Sequence, residues 1–386
     1  LPGYADAWYN LGNLLRGDKR LDEARAAYGK VVALRPDHAQ ALSLLSDVHR
    51  ELQDLQAAEA AARRALALHP SFAEAWGHLG NVLNDRECFD EAVACYDKAL
   101  SLPEPPPETL YNKGVALQRS RHVEESVACY RAILAAKPQE VPAHYNLATA
   151  LLTLGGFAEG FREYEWRLAK PDLRPRPYPQ PAWNGERLDG RRLFLYWEQG
   201  YGDSIQFLRF VPRLQALGAR VVLELQAGLK GVAAAIPGVE AVCEPGDEAP
   251  GFDVQAPLIS VPARLGLASP ATAMPYLSVP GDVATRWKQR LGPRGTARRV
   301  GLVWAGNPNV KNDRVRSPRL APLLPLLALP GIEWVILQQG DGRRDLEMAG
   351  LPEDLRDLAA EARDFTDTAA IMLGLDLMIS SDTSTA

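Results

Sequence analysis

The spacing of apolar residues changes character once along this chain. Over the first 170 residues apolar positions recur at helical intervals, and the whole pattern repeats every 34 residues. Trp8, Leu11, Gly12, Leu15, Ala24, Tyr28 and Pro36 define the first copy. Adding 34 gives Leu42, Leu45, Ser46, Ala58, Ala62 and Pro70; adding it again gives Trp76, Leu79, Gly80, Leu83, Ala92 and Tyr96. A fourth copy has Leu110, Gly114, Leu117, Tyr130 and Pro138, and a fifth has His144, Leu147, Ala148, Leu151, Gly160 and Tyr164. Beyond residue 192 the period disappears. Short apolar runs at 193–197, 221–225, 239–243, 253–256, 300–304, 333–337 and 375–380 alternate with helical stretches, which predicts parallel sheets.

In each repeat the small residues let two helices approach, the large ones fill the space between neighbours, and proline stops the second helix. This pattern resembles the tetratricopeptide repeat closely and implies five copies stacked into a superhelix with a concave groove. The first copy starts almost at Leu1, so the chain reads as beginning inside a longer array. Asn10, Asn13, Asn81, Asn112 and Asn146 fall on the first helices and could hold the backbone of an extended peptide. They resemble the asparagine ladders of arrays that bind protein substrates, including those of protein O-linked N-acetylglucosamine transferases. Plain solvent-exposed polars account for the same residues, since a surface tolerates asparagine anywhere.

Five prolines between 171 and 181 predict an extended linker over 171–191. The α/β part then divides at the 275–280 connector into an N-terminal Rossmann-like domain, 192–277, and a C-terminal nucleotide-binding domain, 278–386. A net charge of −5 argues against a general nucleic-acid binder, and the basic run from Arg286 to Arg299 reads as a solvated helix face and linker. No apolar run is long enough to span a membrane. The four cysteines have no metal or redox spacing and read as packing thiols of a reducing, cytoplasmic compartment.

Three turns at carboxyl ends of predicted strands carry candidate chemistry. The first, Glu198 to Ser204, has Gly200 and Gly202 for a close backbone turn and Asp203 as a general base. Asp203 as the N-cap of the following helix, with Gln206 completing a capping box, is the structural alternative. Without the third glycine of the dinucleotide fingerprint, an oxidoreductase reading fails. The second turn, Trp304 to Ser317, is dense in cations; Lys311, Arg314 and Arg316 could neutralise a diphosphate, or simply form a solvated basic loop. The third, Ser380 to Thr385, offers hydroxyls and backbone N–H groups to an anion, or caps a helix.

The order and spacing of the three turns over 192–386 resemble the glycosyltransferases of the ADP-heptose:lipopolysaccharide heptosyltransferase type. That resemblance implies a GT-B fold of two Rossmann-like domains, with Asp203 as base and Lys311, Arg316, Ser317, Asp382, Thr383 and Ser384 on the donor. It implies a nucleotide-diphosphate sugar as co-substrate, with no metal and no other cofactor. Arg316 stands where that family has lysine, and the chain stops where the family continues into a histidine and a helix, so the second domain reads as truncated. The expectation is a tetratricopeptide superhelix fused to an inverting, metal-independent glycosyltransferase of bacterial type, acting on a glycan or protein acceptor. Its rivals are a protein O-glycosyltransferase threading its substrate through the groove and a non-catalytic scaffold.

Overall fold

The computed structural model describes residues 2–173, 176, 178–270, 275–309, 313–347, 351–352, 355–381 and 383–385. The chain forms two compact units, Leu1–Arg174 and Pro175–Ala386.

The first unit is an α-helical tetratricopeptide superhelix. Its helices are α1 (Pro2–Gly17), α2 (Leu21–Leu34), α3 (Ala39–Glu51), α4 (Leu55–Leu68), α5 (Ala73–Asp85), α6 (Phe89–Leu100), α7 (Thr109–Arg119), α8 (Val123–Ala136), α9 (Val141–Thr153) and α10 (Phe157–Tyr164). The Gly–Tyr pairs of the repeat explain why these helices pair so closely. A Cβ at Gly12 or Gly80 would lie 2.6 Å from the ring of Tyr28 or Tyr96, and one at Gly114 would lie 2.8 Å from Tyr130. Each of those rings is essentially fully buried. The turn inside every repeat also uses one left-handed residue at the same position: Lys19, Gln53, Glu87, Arg121 and Gly155. The N–H after each closes back on the preceding helix, as Asp54 N–H does on His49 C=O at 2.9 Å, which satisfies carbonyls the helix end leaves unpaired. Neighbouring repeats bury what the first leaves open. Leu14 of α1 is 69% exposed, whereas Val48, Val82, Ala116 and Ala150 at the same repeat position are 0% exposed. Val48 is covered by a cluster that includes Ala24, Ala27 and Tyr28 of α2.

The second unit holds two parallel sheets. The first contains β1 (Arg192–Tyr196), β2 (Arg220–Glu224), β3 (Val239–Cys243) and β4 (Val254–Pro257) in the order β3-β2-β1-β4. The second contains β5 (Arg298–Val303), β6 (Ile332–Ile336), β7 (Arg356–Asp357) and β8 (Leu377–Ser380) in the order β7-β6-β5-β8. All ladders are parallel. Burial on both faces explains the near-continuous apolar strands: Leu193, Phe194 and Leu195 are completely buried. Connecting helices are α11 (Tyr201–Leu208), α12 (Val211–Gln215), α13 (Lys230–Ala234), α14 (Val261–Arg264), α15 (Gly281–Leu291), α16 (Asp313–Arg316), α17 (Leu324–Leu327) and α18 (Phe365–Met372). In both sheets the chain turns from one direction of winding to the other beside the central strand, between β1 and β4 and between β5 and β8. Ligands of open α/β sheets bind outside the strand ends at such points.

Three expectations need correction. The segment expected as a linker belongs largely to the second unit. Trp183 is fully buried, its N–H donates to Gln255 C=O at 2.8 Å, and Gln255 N–H donates to Pro181 C=O at 3.1 Å, which extends the sheet past β4. Prolines are tolerated there because an edge strand does not need every donor. The basic run is exposed as expected at Arg286, Lys288, Arg290, Arg294 and Arg298, three of which also form ion pairs, and it departs from a solvated face at Arg299. Arg286 meets Asp367, Arg290 Nε reaches Glu361 at 2.8 Å, and Arg294 reaches Asp376 at 2.5 Å. Arg299 is buried, binds Glu333 at 2.7 Å and donates to the carbonyls that end α15. Finally, the helical stretch expected between the runs at 300–304 and 333–337 is broken after Leu320 into a 3₁₀ turn (Ala321–Leu323) and the single-turn α17, because Pro322 and Pro325 withhold helix donors.

Candidate functional site

The turn after β1 shows why Asp203 is not the N-cap residue. Helix α11 starts at Tyr201, with Gly200 in the N-cap position and Asp203 in the third helical position. The Asp203 carboxylate accepts the Gly200 N–H at 2.9 Å. This is the returning half of a capping box, and glycine supplies no side chain for the other half. The expected N-cap at Asp203 with Gln206 as its partner is therefore replaced by a start three residues earlier. Gly200 is exposed, and Gly202 and Asp203 are half-buried.

The turn after β5 is fastened by Ser317. Its hydroxyl accepts the Gly306 N–H at 2.9 Å and donates to Asp313 Oδ1 at 2.5 Å, and the side chain is buried. As placed, Ser317 closes the loop on itself instead of presenting its hydroxyl to a donor. Arg316 ends the single-turn α16 and is exposed. Lys311 and Asp382 lie outside the described residues. In the turn after β8, the hydroxyls of Ser380, Thr383 and Thr385 form one cluster with separations of 2.9 to 3.3 Å. Thr383 and Ser384 are half-buried.

The fold brings these turns together, although they are widely separated in sequence. A Cβ on Gly202 would lie 3.6 Å from Ser384 Cα, so the first turn abuts the third. A Cβ on Gly306 would lie 3.3 Å from Thr383 Cγ2, so the third also abuts the second. Beside them Tyr201 stacks on Phe365 with ring centres 5.2 Å apart, and Phe365 N–H donates to Gly228 C=O at 3.1 Å. A methyl added at Gly306 would press on Thr383, so glycine leaves room there, whereas one at Gly202 would make ordinary contact with Ser384.

Two residues missed by sequence reasoning hold this arrangement. Gln226, two positions past β2, accepts from the Ser204 hydroxyl and donates to Gln199 C=O, both at 2.8 Å. Gln338, two positions past β6, accepts the Trp304 and Ala305 N–H groups at 2.9 Å and donates to the Ala305 and Gln339 carbonyls at 2.9 and 2.7 Å. Both side chains are buried. A polar amide directly after an apolar strand was the available signal.

In the array, four of the five expected peptide-holding asparagines divide into two kinds. Tyr28 OH donates to Asn13 Oδ1 at 2.7 Å and Tyr96 OH to Asn81 Oδ1 at 2.8 Å, so these two asparagines anchor the buried tyrosines of their own repeats. Asn112 donates to Asn81 at 3.0 Å, and Asn146 donates to Tyr111 OH at 2.9 Å, each joining neighbouring repeats. Asn10 is exposed. The four cysteines are free thiols, and burial pushes Cys95 up to about 11 and raises Cys129 and Cys243 as well. Among the described residues no His, Cys, Asp or Glu group could hold a metal ion, and no helix is long and apolar enough to cross a membrane.

Comparison with known proteins agrees with the helical half of this architecture. One tetratricopeptide-repeat profile matches residues 3–71, and another matches 43–108 and 111–172. Protein FlbA of Caulobacter vibrioides is 28% identical over an alignment of 289 residues, covering 62% of this chain and 44% of that protein. The chain thus spans less than half the length of that relative. Among solved structures, MamA is 18% identical with a TM-score of 0.39, covering 46% of this chain and 100% of its own. PilW, a type IV pilus biogenesis factor, is 24% identical with a TM-score of 0.40, covering 43% of this chain and 78% of its own. The first 172 residues of this chain are tetratricopeptide repeats.

Proposed function

We propose that this chain belongs to a glycosyltransferase of the GT-B kind, which moves a sugar from a nucleotide-diphosphate donor to a glycan or protein acceptor. The tetratricopeptide array is its protein-binding module. The observation that carries this reading is the meeting of three turns at one place. A carboxylate-bearing helix start, a cation-bearing loop and a hydroxyl cluster approach one another through Gly202–Ser384 and Gly306–Thr383. Two of these turns follow β5 and β8, which flank the point where ligands of such sheets bind.

The chemistry follows from the residue types. An acceptor hydroxyl attacks the anomeric carbon while the bond from that carbon to the diphosphate oxygen breaks, which inverts the sugar. Asp203 takes the hydroxyl proton, and the bond's electron pair leaves with the diphosphate. Arg316 and Lys311 meet the charge that develops there, and the hydroxyls of Thr383 and Ser384 beside Asp382 hold phosphate and sugar. These cations make a metal dispensable. Free thiols, three of the four buried, suit a reducing compartment such as the cytoplasm.

The presence of a peptide-binding module favours a protein acceptor, and intact-mass shifts on co-expressed protein partners would distinguish it from a glycan. For the base, the test is turnover of a nucleotide sugar by the full chain and by Asp203→Ala. The substitution is expected to lower turnover by about 100-fold or more while leaving nucleotide affinity within about twofold. Unchanged turnover removes Asp203 as the base.

A further inference from the structure

We propose that Gln226 and Gln338 are a matched pair of positioning residues, one per sheet, that set the geometry of the two turns on which sugar transfer depends. This inference rests on the glycosyltransferase reading. The two glutamines are equivalent in the fold: each lies two residues past the strand beside the central one, β2 next to β1 and β6 next to β5. Each spends its amide on the turn leaving that central strand.

The physical reason is the end of the ladder. Where parallel strands stop pairing, the central strand's backbone groups lose their partners just where the chain must turn toward a ligand. A primary amide carries the same donor and acceptor as a peptide group, so a buried glutamine continues the ladder by one step. Gln338 does this fully. Its oxygen receives two N–H groups and its nitrogen donates two bonds, which exhausts its capacity and leaves none for a ligand. It therefore acts through the turn, fixing Trp304 and Ala305 immediately ahead of Gly306. Gln226 ties Gln199 to Ser204, which brackets Gly200, Gly202 and Asp203. The same device thus serves the base in one sheet and the donor loop in the other.

The two roles predict opposite kinetic signatures. With UDP, ADP and GDP sugars as probes and the full chain as enzyme, Gln226→Leu should lower kcat about tenfold and leave the donor KM within about twofold. Gln338→Leu should raise the donor KM about tenfold and leave kcat within about threefold. Isosteric Gln226→Glu and Gln338→Glu keep size and acceptor but lose the donor, so they should show the same split in milder form and guard against simple misfolding. General loss of folded enzyme would lower kcat alike in both and leave KM in place. That pattern, or variants that match the wild type, would overturn the pairing while the wild type still turns over. A wild type inactive with every probe would instead overturn the sugar-transfer reading, and the pairing with it.

Discussion

The repeat array and the two-sheet unit place their decisive contacts at very different distances along the chain. In the array, Gly12 meets Tyr28, Gly80 meets Tyr96 and Gly114 meets Tyr130, always between the two helices of one repeat. In the sheet unit, Gly202 meets Ser384, Gly306 meets Thr383, and the Asp376 carboxylate accepts the Arg299 N–H at 2.8 Å. A contact repeated at a fixed interval advertises itself in the sequence. A contact made once, across a sheet or between two sheets, depends on a strand order that no local pattern encodes. The array accordingly shows its construction openly, and the sheet unit shows mainly its strands.

The largest test of that division concerns where it falls. Trp183→Ala should destabilise the sheet unit by about 3–5 kcal/mol, the cost of emptying a fully buried aromatic site, and leave the array's unfolding unchanged. Scanning calorimetry on the full chain reads both transitions. If the residues ahead of β1 were only a linker, neither would move.

Within the array, the Gly–Tyr contact can be set against a glycine that touches nothing. Gly80→Val should cost about 3 kcal/mol, because its side chain must displace a buried tyrosine ring. Gly29→Ala lies in α2 with no atom near its added methyl, so it should raise stability by up to about 1 kcal/mol through helix propensity. Equal effects in urea denaturation would mean that close helix approach is not what the repeat glycines provide.

A smaller effect tests one ion-paired carboxylate of the array by pH. Burial alone would raise the Asp47 carboxyl, but the nearby His78 together with the ion pairs to Arg50 at 3.1 Å and Arg16 at 3.0 Å outweighs this and holds it below the ordinary carboxylate range. A lowered folded value means that the unfolded chain binds the proton more readily. The stabilisation is complete above the unfolded value of about 3.9 and disappears as pH falls through the lower folded one. The array should therefore lose about 1 kcal/mol through this group below about pH 4, and Asp47→Asn should remove that acid dependence. An array transition equally acid-sensitive in Asp47→Asn would contradict this.

What the sequence left hidden follows from the same division. Its period located the repeats and the alternation of strands and helices located both sheets. The left-handed turns at Lys19, Gln53, Glu87 and Arg121 were invisible because ordinary side chains occupy positions that composition would give to glycine. Asn13 and Asn81 looked like ligand contacts because a tyrosine hydroxyl one helix away cannot be paired with them by spacing alone. Asp203 was legible as a helix-start residue, but its register depended on the bond to Gly200 N–H. Gln226 and Gln338 show in the sequence only as amides after apolar runs, since their partners sit on other strands' turns.

The central claim, that the sheet unit gathers its three turns around a nucleotide sugar, is tested most directly by calorimetric titration of the full chain with UDP, ADP and GDP sugars. The account predicts saturable one-site binding of at least one of them, weakened about tenfold or more by Arg316→Ala through loss of a charge-assisted phosphate contact. No saturable binding to any of the three would contradict it and leave the chain as a tetratricopeptide scaffold.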